Sequence, residues 1–288
     1  MIKKISLKTF LTAITIFCTN YLISQNNLLD EIDYNNENYK IGLSAFKANK
    51  VINGQSTKQS GEKELYLYVA HRFGTIDGGI KTLFGLDIAN TKIELLYGLS
   101  SNLQVGFSRE SQKKIYTVNL KYKLTEQGSK FPFNSSLYSS FNYNSSLNED
   151  IYPSISNSDK NLILGQLLLS KRLNNKFSIQ LAPTFARRNF NETIFEEKNN
   201  LILGATTSYR ITNRLAFNIE YFANFSRPEI SPFENALSFG IDIETGGHVF
   251  QLLFSNTQFS DDVFVLTDAE GSWSEGEIYF GFNILRVF

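Results

Sequence analysis

The segment IYTVNLKYKLT, residues Ile115 to Thr125, alternates apolar and polar side chains almost without interruption. Successive side chains of a β-strand point to opposite faces, so a period of two residues predicts a strand with one apolar face. We expect Leu120 to lie on the apolar face and Lys121 on the polar face. An arginine at Leu120 should then destabilise the fold, whereas Lys121→Gln should leave folding almost unchanged.

Similar alternation recurs along the chain and predicts an all-β protein of about twelve strands. The segment 162–169 is apolar on both faces except at Gln166, so its orientation stays open. The strands are predicted near residues 64–72, 87–98, 103–109, 115–125, 132–143, 161–171, 176–187, 200–210, 214–225, 235–243, 248–255 and 276–287.

The connections between these strands alternate in length. Longer polar connections at 73–82, 144–160, 189–199, 227–234 and 256–275 alternate with tight turns such as those at 99–102 and 211–213. Barrels of the bacterial outer membrane show this asymmetry. An open sheet edge cannot persist in lipid, because its backbone N–H and C=O groups would lack partners. The pattern predicts a closed antiparallel up-and-down transmembrane β-barrel over residues 63–288.

The last strand ends on an aromatic residue, Phe288, and carries Phe280 and Phe282 on one parity. A final amphipathic strand of this kind resembles the C-terminal signal by which outer-membrane barrels are recognised. We therefore expect these three residues to act as an insertion signal that the barrel assembly machinery reads, with outer-membrane lipid around the finished barrel.

The N-terminus has a basic head, a short apolar middle and a small residue, Ser24, at its exit. This order is typical of a cleavable secretory signal, predicted here at residues 1–24. An uncleaved anchor is disfavoured because the apolar stretch is short, and lipid attachment at Cys18 because bulky residues precede it. Residues 25–62 are predicted to form a polar periplasmic lead-in.

Charge and cysteine content exclude several function classes. The 288 residues carry 28 Lys and Arg against 28 Asp and Glu, so the formal net charge is zero. A nucleic-acid partner bound through a basic field would require an excess of positive charge. Cys18 is the only cysteine, so the processed chain is expected to have neither disulfides nor Cys-ligated zinc.

Several short motifs occur in order along the chain: VINGQS at 51–56, AHRFG at 70–74, LFGLD at 83–87, ETGGHVFQL at 244–252 and FGFNI at 280–284. Together they resemble an uncharacterised β-barrel family of Bacteroidota, over residues 51–288. The resemblance implies a barrel located in the outer membrane, and it supplies no catalytic residues.

Charges of both signs fall on the parity that should face the lumen: Lys92, Glu94, Lys121, Lys123, Glu220 and Asp242. Such a lumen predicts the passage or binding of a small polar solute with weak ion selectivity. The alternative is a structural or interaction barrel, with a filled lumen and with loops or a lead-in that bind a partner, for example a periplasmic protein. Twelve strands lie between small filled barrels and open porins, so the width does not decide.

Enzymatic activity is not expected. His71 and His248 are predicted to lie at opposite rims, so they cannot share a metal ion. A minor alternative is an outer-membrane lipid hydrolase that pairs His71 with a serine; a rim histidine without catalytic function is the simpler interpretation. The acidic pairs at 149–150, 196–197 and 261–262 lack calcium-loop spacing and are interpreted as solvated loop charges. No metal or cofactor is therefore predicted.

Overall fold

The computed structural model describes residues 44–128 and 130–288. These residues form twelve strands, which confirms the predicted fold class and strand number. In chain order the strands β1 to β12 are Leu65–Thr75, Ala89–Gly98, Leu103–Glu110, Ile115–Thr125, Asn134–Asn144, Asn161–Arg172, Phe177–Arg188, Asn199–Arg210, Leu215–Asn224, Ala236–Glu244, His248–Ser255 and Tyr279–Val287.

The sheet closes on itself. Each strand pairs antiparallel with its sequence neighbours, and β12 pairs with β1, for example at Tyr66↔Val287 and Ala70↔Asn283. Closure gives both edge strands a partner, so no row of backbone N–H and C=O groups is left open to lipid. Within the described ranges, no helix is long and apolar enough to cross a membrane.

Side chains alternate between the two surfaces of the barrel along every strand. On β4, Leu120 is exposed on the outside and Lys121 is buried inside, as the sequence pattern predicts. On β6, whose orientation the sequence leaves open, Leu162, Leu164 and Leu168 point inward. The outer wall is apolar, and β6 also carries an apolar inner face.

The two ends of the barrel differ. At one end the strands are joined by tight turns, and there β1 begins and β12 ends. We name it the short-turn end. In its turn after β6, the Asn174 side-chain oxygen accepts from the backbone N–H groups of Lys176 and Phe177 at 2.8 and 2.9 Å, which is how asparagine stabilises tight turns. The opposite, long-loop end carries the connections 76–88, 111–114, 145–160, 189–198, 225–235 and 256–278.

Three connections in the described part of the chain carry helical segments. Ile76–Gly85 and Gln112–Lys114 form short 3₁₀ segments at the long-loop end. The helix α1, Asp262–Thr267, lies in the last connection, and the Asp261 side chain caps it by accepting from the N–H of Val263 at 3.0 Å.

The predicted boundary between lead-in and barrel does not separate the two. Residues 44–60 from the predicted lead-in lie inside the barrel, most of them buried. A polar segment can be buried here because the inward side chains of the wall satisfy its backbone and side-chain groups. The predicted signal, 1–24, and residues 25–43 of the lead-in lie outside the described residues.

Candidate functional site

The candidate site is the lumen, into which most of the predicted lumen-facing charges point. Lys123 has the same parity but lies near the short-turn end, partly exposed, with its Nζ 3.6 Å from Glu126 Oε2. The other five candidates are each at most 2% exposed: Lys92, Glu94, Lys121, Glu220 and Asp242.

Residues 44–60, here named the luminal hairpin, fill part of this space. An antiparallel bridge joins Lys50 to Gln55, and the N–H of Val51 donates to the carbonyl of Gly54 at 2.9 Å. These contacts fold the segment back on itself into a tight turn, whose backbone groups then face the wall of the barrel.

The luminal hairpin is attached at the short-turn end. Lys47 Nζ lies 2.6 Å from Glu244 Oε2 and also donates to the carbonyl of Asn213. At the other end of the hairpin, Gln59 Nε2 donates to the carbonyl of Ser101 at 3.1 Å. Since all three partners lie in or beside short turns, the hairpin enters the barrel from this end.

Glu220 on β9 binds the turn of the luminal hairpin. Its carboxylate accepts from three consecutive backbone N–H groups, those of Ile52 at 3.0 Å, Asn53 at 2.8 Å and Gly54 at 3.1 Å. A side chain at Gly54 would not fit, because a Cβ there would lie 2.5 Å from Phe222 Cζ. The hairpin turn is therefore shaped to this carboxylate.

Lys121 on β4 binds the hairpin from another side of the wall. Its Nζ donates to the carbonyls of Asn49 at 3.0 Å, Ser56 at 2.9 Å and Lys58 at 3.1 Å. A glutamine is shorter and offers two amide hydrogens, so it cannot reproduce these three bonds. The expectation that Lys121→Gln leaves folding almost unchanged is therefore revised.

Further wall residues complete the binding of the hairpin. Arg72 on β1 donates to Asn53 Oδ1 at 2.7 Å and to Asn283 Oδ1 at 2.8 Å. Asn283 on β12 in turn donates to the carbonyl of Ile52 at 2.8 Å, and Gln251 on β11 donates to the carbonyl of Val51 at 2.7 Å. Strands on several sides of the barrel thus bind the hairpin backbone.

Residues 256–269, here named the luminal loop, enter from the long-loop end. Their apolar side chains form a buried cluster with the inward face of β6 and its neighbours. This packing explains why β6 is apolar on both faces, because its outer face contacts lipid and its inner face contacts the luminal loop. The loop side of the cluster consists of Phe259, Val263, Phe264, Val265, Leu266 and Ala269.

Charged side chains of the wall bind the luminal loop near its start and near its end. Arg188 on β7 donates to Asp268 Oδ1 at 2.5 Å, and its other terminal nitrogen lies 2.9 Å from Glu196 Oε2. Lys92 on β2 donates to the carbonyl of Ser260 at 3.3 Å. The loop therefore combines an apolar contact surface with an ion pair, Arg188 to Asp268, near its end.

The hairpin and the loop meet inside the barrel. Lys50 Nζ lies 2.6 Å from Asp262 Oδ1, and Gln55 Nε2 and Tyr138 Oη also bond to this carboxylate, at 3.2 and 2.5 Å to Oδ2. Burial would raise the pKa of Asp262, but Lys50 and Lys92 outweigh it and hold this pKa below its usual range. The joint between the two segments is thus a buried contact between Lys50 and Asp262.

The prediction of solvated loop charges at 261–262 is wrong. Asp261 and Asp262 are buried, because the loop folds into the lumen rather than out into water. Glu196 is also buried, against Arg188, whereas the pair at 149–150 is exposed as predicted. The described residues contain no cluster of His, Cys, Asp or Glu that could hold a metal ion.

The predicted lumen residues have different partners inside the barrel. Glu220 and Lys121 both bind the luminal hairpin, and Lys92 binds the luminal loop. Glu94 instead accepts from Asn119 at 2.7 Å, and Asp242 accepts from Gln251 at 2.9 Å.

The two histidines lie at opposite ends. His71 lies on the outer face of β1 toward the long-loop end, with its Nδ1 2.9 Å from Thr91 Oγ1. His248 begins β11 at the short-turn end.

The predicted insertion-signal residues lie on the outside of β12 and just beyond its end. Phe280 and Phe282 are partly exposed on the outer wall, and Phe288 is exposed. The N–H of Phe288 donates to the carbonyl of Leu65 at 2.9 Å, so the last residue still pairs with the first strand.

Sequence analysis missed the residues that join the two luminal segments, above all Lys50, Arg72 and Asp262. Two signals pointed to them. The doubly apolar face of β6 required an apolar partner inside the barrel, and the motifs VINGQS and AHRFG contain the hairpin turn and Arg72. Strand alternation alone could not reveal these contacts, because Lys50 and Asp262 lie outside the strands and Arg72 binds a residue of the luminal hairpin that is distant in sequence.

A family of known proteins agrees with this architecture. Residues 46–288 match the model of the family described as "Membrane bound beta barrel domain (DUF5777)". No curated protein matches the sequence. Similar solved structures include the NanC porin, at 8% identity and a TM-score of 0.48, covering 77% of this chain and 98% of that chain.

Two further solved structures share this degree of similarity. The KdgM porin in complex with disordered oligogalacturonate has 9% identity and a TM-score of 0.47, covering 78% of this chain and 99% of that chain. The outer membrane protein Omp33 of Acinetobacter baumannii has 11% identity and a TM-score of 0.42, covering 80% of this chain and 100% of that chain.

Proposed function

This chain belongs to the DUF5777 family of membrane-bound β-barrel domains, and on that premise we propose that it is an outer-membrane barrel that is closed at rest and gated. A small polar solute passes or binds when the luminal hairpin leaves the lumen. Residues 1–24 direct export as a cleaved signal, and the assembly machinery inserts the barrel by reading its last strand.

The observation that carries the proposal is the contact between Lys50 and Asp262. These residues belong to segments that enter from opposite ends of the barrel, and their side chains meet at 2.6 Å, both almost fully buried. A solute crossing the barrel would have to separate them.

The luminal hairpin is the better candidate for the moving part. Its bonds to Glu220, Lys121, Arg72 and Gln251 are polar, so water can replace them when the hairpin withdraws. The hairpin also enters at the short-turn end, where a periplasmic partner has access to the preceding part of the chain.

The solute class follows from what the departing hairpin uncovers. Glu220 and Asp242 would present acceptors, and Lys121 and Arg72 would present donors. A passage with both charge signs suits an uncharged or zwitterionic polar solute better than a simple anion or cation, and predicts weak ion selectivity.

A second candidate function is supported by the luminal loop. Its apolar seat on β6 has no use in a wide passage, and favours a filled barrel that serves as a structural or interaction module. In that case the partner binds at the loops or at the segment before residue 44, and no solute passes.

We also propose that the barrel is not an enzyme. The lipid-hydrolase alternative rests on His71 at the outer wall, and its test is phospholipid hydrolysis by the purified barrel and by His71→Ala. An activity that disappears in His71→Ala would establish the alternative.

Conductance in planar bilayers tests the gated proposal. We expect the intact barrel to be silent, a variant lacking residues 44–60 to show stable ohmic steps, and the control Ile194→Ala, in an exposed loop outside the lumen, to stay silent. Silence of all three folded barrels would favour the filled interaction barrel. Steady conductance of the intact barrel would contradict closure at rest.

A further inference from the structure

The connection between β1 and β2, residues 76–88, is unlike the other connections at the long-loop end. The sequence predicts its first part to be polar, yet it exposes five large apolar side chains. Ile80 is 83% exposed and Phe84 is 53% exposed, and the others are Leu83, Leu86 and Ile88. Contiguous exposed apolar surface marks contact with a partner or a membrane.

The backbone of this loop is folded rather than extended. Leu83 and Phe84 have φ values of 46° and 55°, a left-handed conformation that bulky residues rarely adopt. Gly85 then packs against β1 so closely that a Cβ there would lie 2.3 Å from the carbonyl oxygen of Gly74. The loop is therefore held to the barrel at its base while its apolar side chains point away from it.

The loop follows directly on a cluster of rings on the outer wall. Phe73, three residues before the loop, stacks on Phe280 with ring centroids 5.7 Å apart, and Phe254 lies 5.4 Å from the same ring. His71 stacks on Phe282 at 5.2 Å. The apolar outer wall thus continues into the loop at the seam between β1 and β12.

The other long connections do not share this feature. The connections 145–160 and 189–198 each expose a single large aliphatic residue, Ile151 and Ile194, and the connection 225–235 exposes two separate apolar residues, Phe225 and Ile230. Single exposed apolar residues are normal on protein surfaces. The concentration of five in one loop, next to the ring cluster, is specific to the β1–β2 connection.

We infer that the loop 76–88 inserts its apolar side chains into the membrane, at the boundary between hydrocarbon and headgroups beside β1 and β12. Transfer of Ile80, Leu83 and Phe84 from water to this boundary is favourable because it removes their surface from water. The charged residues of the loop, Asp77, Lys81 and Asp87, remain in the hydrated headgroup layer.

Depth-dependent fluorescence quenching tests this placement. Phe84→Cys and, separately, Ile80→Cys are made in a Cys18→Ser background and labelled with an environment-sensitive fluorophore. The labelled barrels are reconstituted in phosphatidylcholine vesicles with and without nitroxide groups on the acyl chains. Ile194→Cys, 89% exposed at the same end, is the matched control, and Leu120→Cys on the outer wall reports full lipid contact.

We expect both loop probes to lose most of their emission to the nitroxide lipids, as the Leu120 probe does, while the Ile194 probe keeps its emission. Heat-modifiable gel mobility verifies that each labelled barrel is folded. Loop probes at both positions that stay as unquenched as the Ile194 probe would overturn the inference and place the loop in water, available to a protein partner.

Discussion

The luminal hairpin meets the wall through hydrogen bonds to its backbone and through a small buried apolar cluster around Ile52 and Leu253, whereas the luminal loop packs its helix into the larger apolar cluster at the inward face of β6. Hydrogen bonds contribute little net free energy when water can replace them, but apolar burial is lost outright when a segment withdraws. The difference teaches that two segments filling one lumen need not be equally permanent. We therefore expect the loop to act as part of the core, and the hairpin as a removable insert.

The largest expected effect comes from matched Phe→Ala changes in the two segments. Phe264→Ala should lower the free energy of unfolding by about 3–5 kcal/mol, because it leaves a cavity in the main buried cluster. Phe46→Ala should cost less, because the hairpin can detach while the barrel stays folded. Urea titration followed by the fluorescence of Trp273, the only tryptophan, measures both; equal losses would contradict the comparison.

The next effect concerns the acceptor of the hairpin turn. Glu220→Ala leaves three buried N–H groups without their partner and should weaken hairpin binding by about 1–3 kcal/mol. The readout is faster maleimide labelling of Ser56→Cys in a Cys18→Ser background. Glu220→Gln, which keeps one acceptor oxygen, is the control and should have a smaller effect. An unchanged labelling rate in Glu220→Ala would show that the carboxylate does not hold the hairpin.

The joint between the segments should appear as a coupling free energy. In a double-mutant cycle of Lys50→Met and Asp262→Asn, we expect a coupling of about 0.5–3 kcal/mol, because each change removes the counter-charge of the other residue. Stability is measured by the same urea titration. Strictly additive effects would mean that hairpin and loop do not support each other.

The smallest expected effect is the stability change of Lys123→Gln, which is compared with that of Lys121→Gln on the same strand. Lys123→Gln should change stability by less than about 1 kcal/mol, since its pair with Glu126 is partly exposed. Lys121→Gln should cost more and should speed labelling of Ser56→Cys, because three hairpin carbonyls lose their donor. Equal tolerance of both changes would argue against a bound hairpin.

The sequence was sufficient to predict the wall of the barrel. Period-two alternation placed Leu120 outside and Lys121 inside, and the alternation of loop lengths predicted closure. These features depend on local patterns that each strand carries by itself, which is why they can be read without any knowledge of contacts.

The filling of the lumen could not be predicted in the same way. Residues 44–60 are polar and lack a strand period, so they resembled a solvated lead-in. Their burial depends on distant partners such as Glu220 and Arg72, which only the closed barrel brings together. The pair Asp261-Asp262 resembled ordinary loop charge for the same reason. The doubly apolar β6 was a local sign that the interior is occupied.

Thiol labelling in increasing urea tests the central claim, that the hairpin is removable and the loop is fixed. Ser56→Cys reports the hairpin. Ser260→Cys reports the loop, and is a mild change because Ser260 Oγ has no hydrogen-bond partner within the described ranges. In a Cys18→Ser background we predict that the Ser56 site reacts at urea concentrations where the Ser260 site is still protected and the barrel keeps its folded gel mobility. Reaction of both sites only upon unfolding of the barrel, or of the Ser260 site first, would contradict the account.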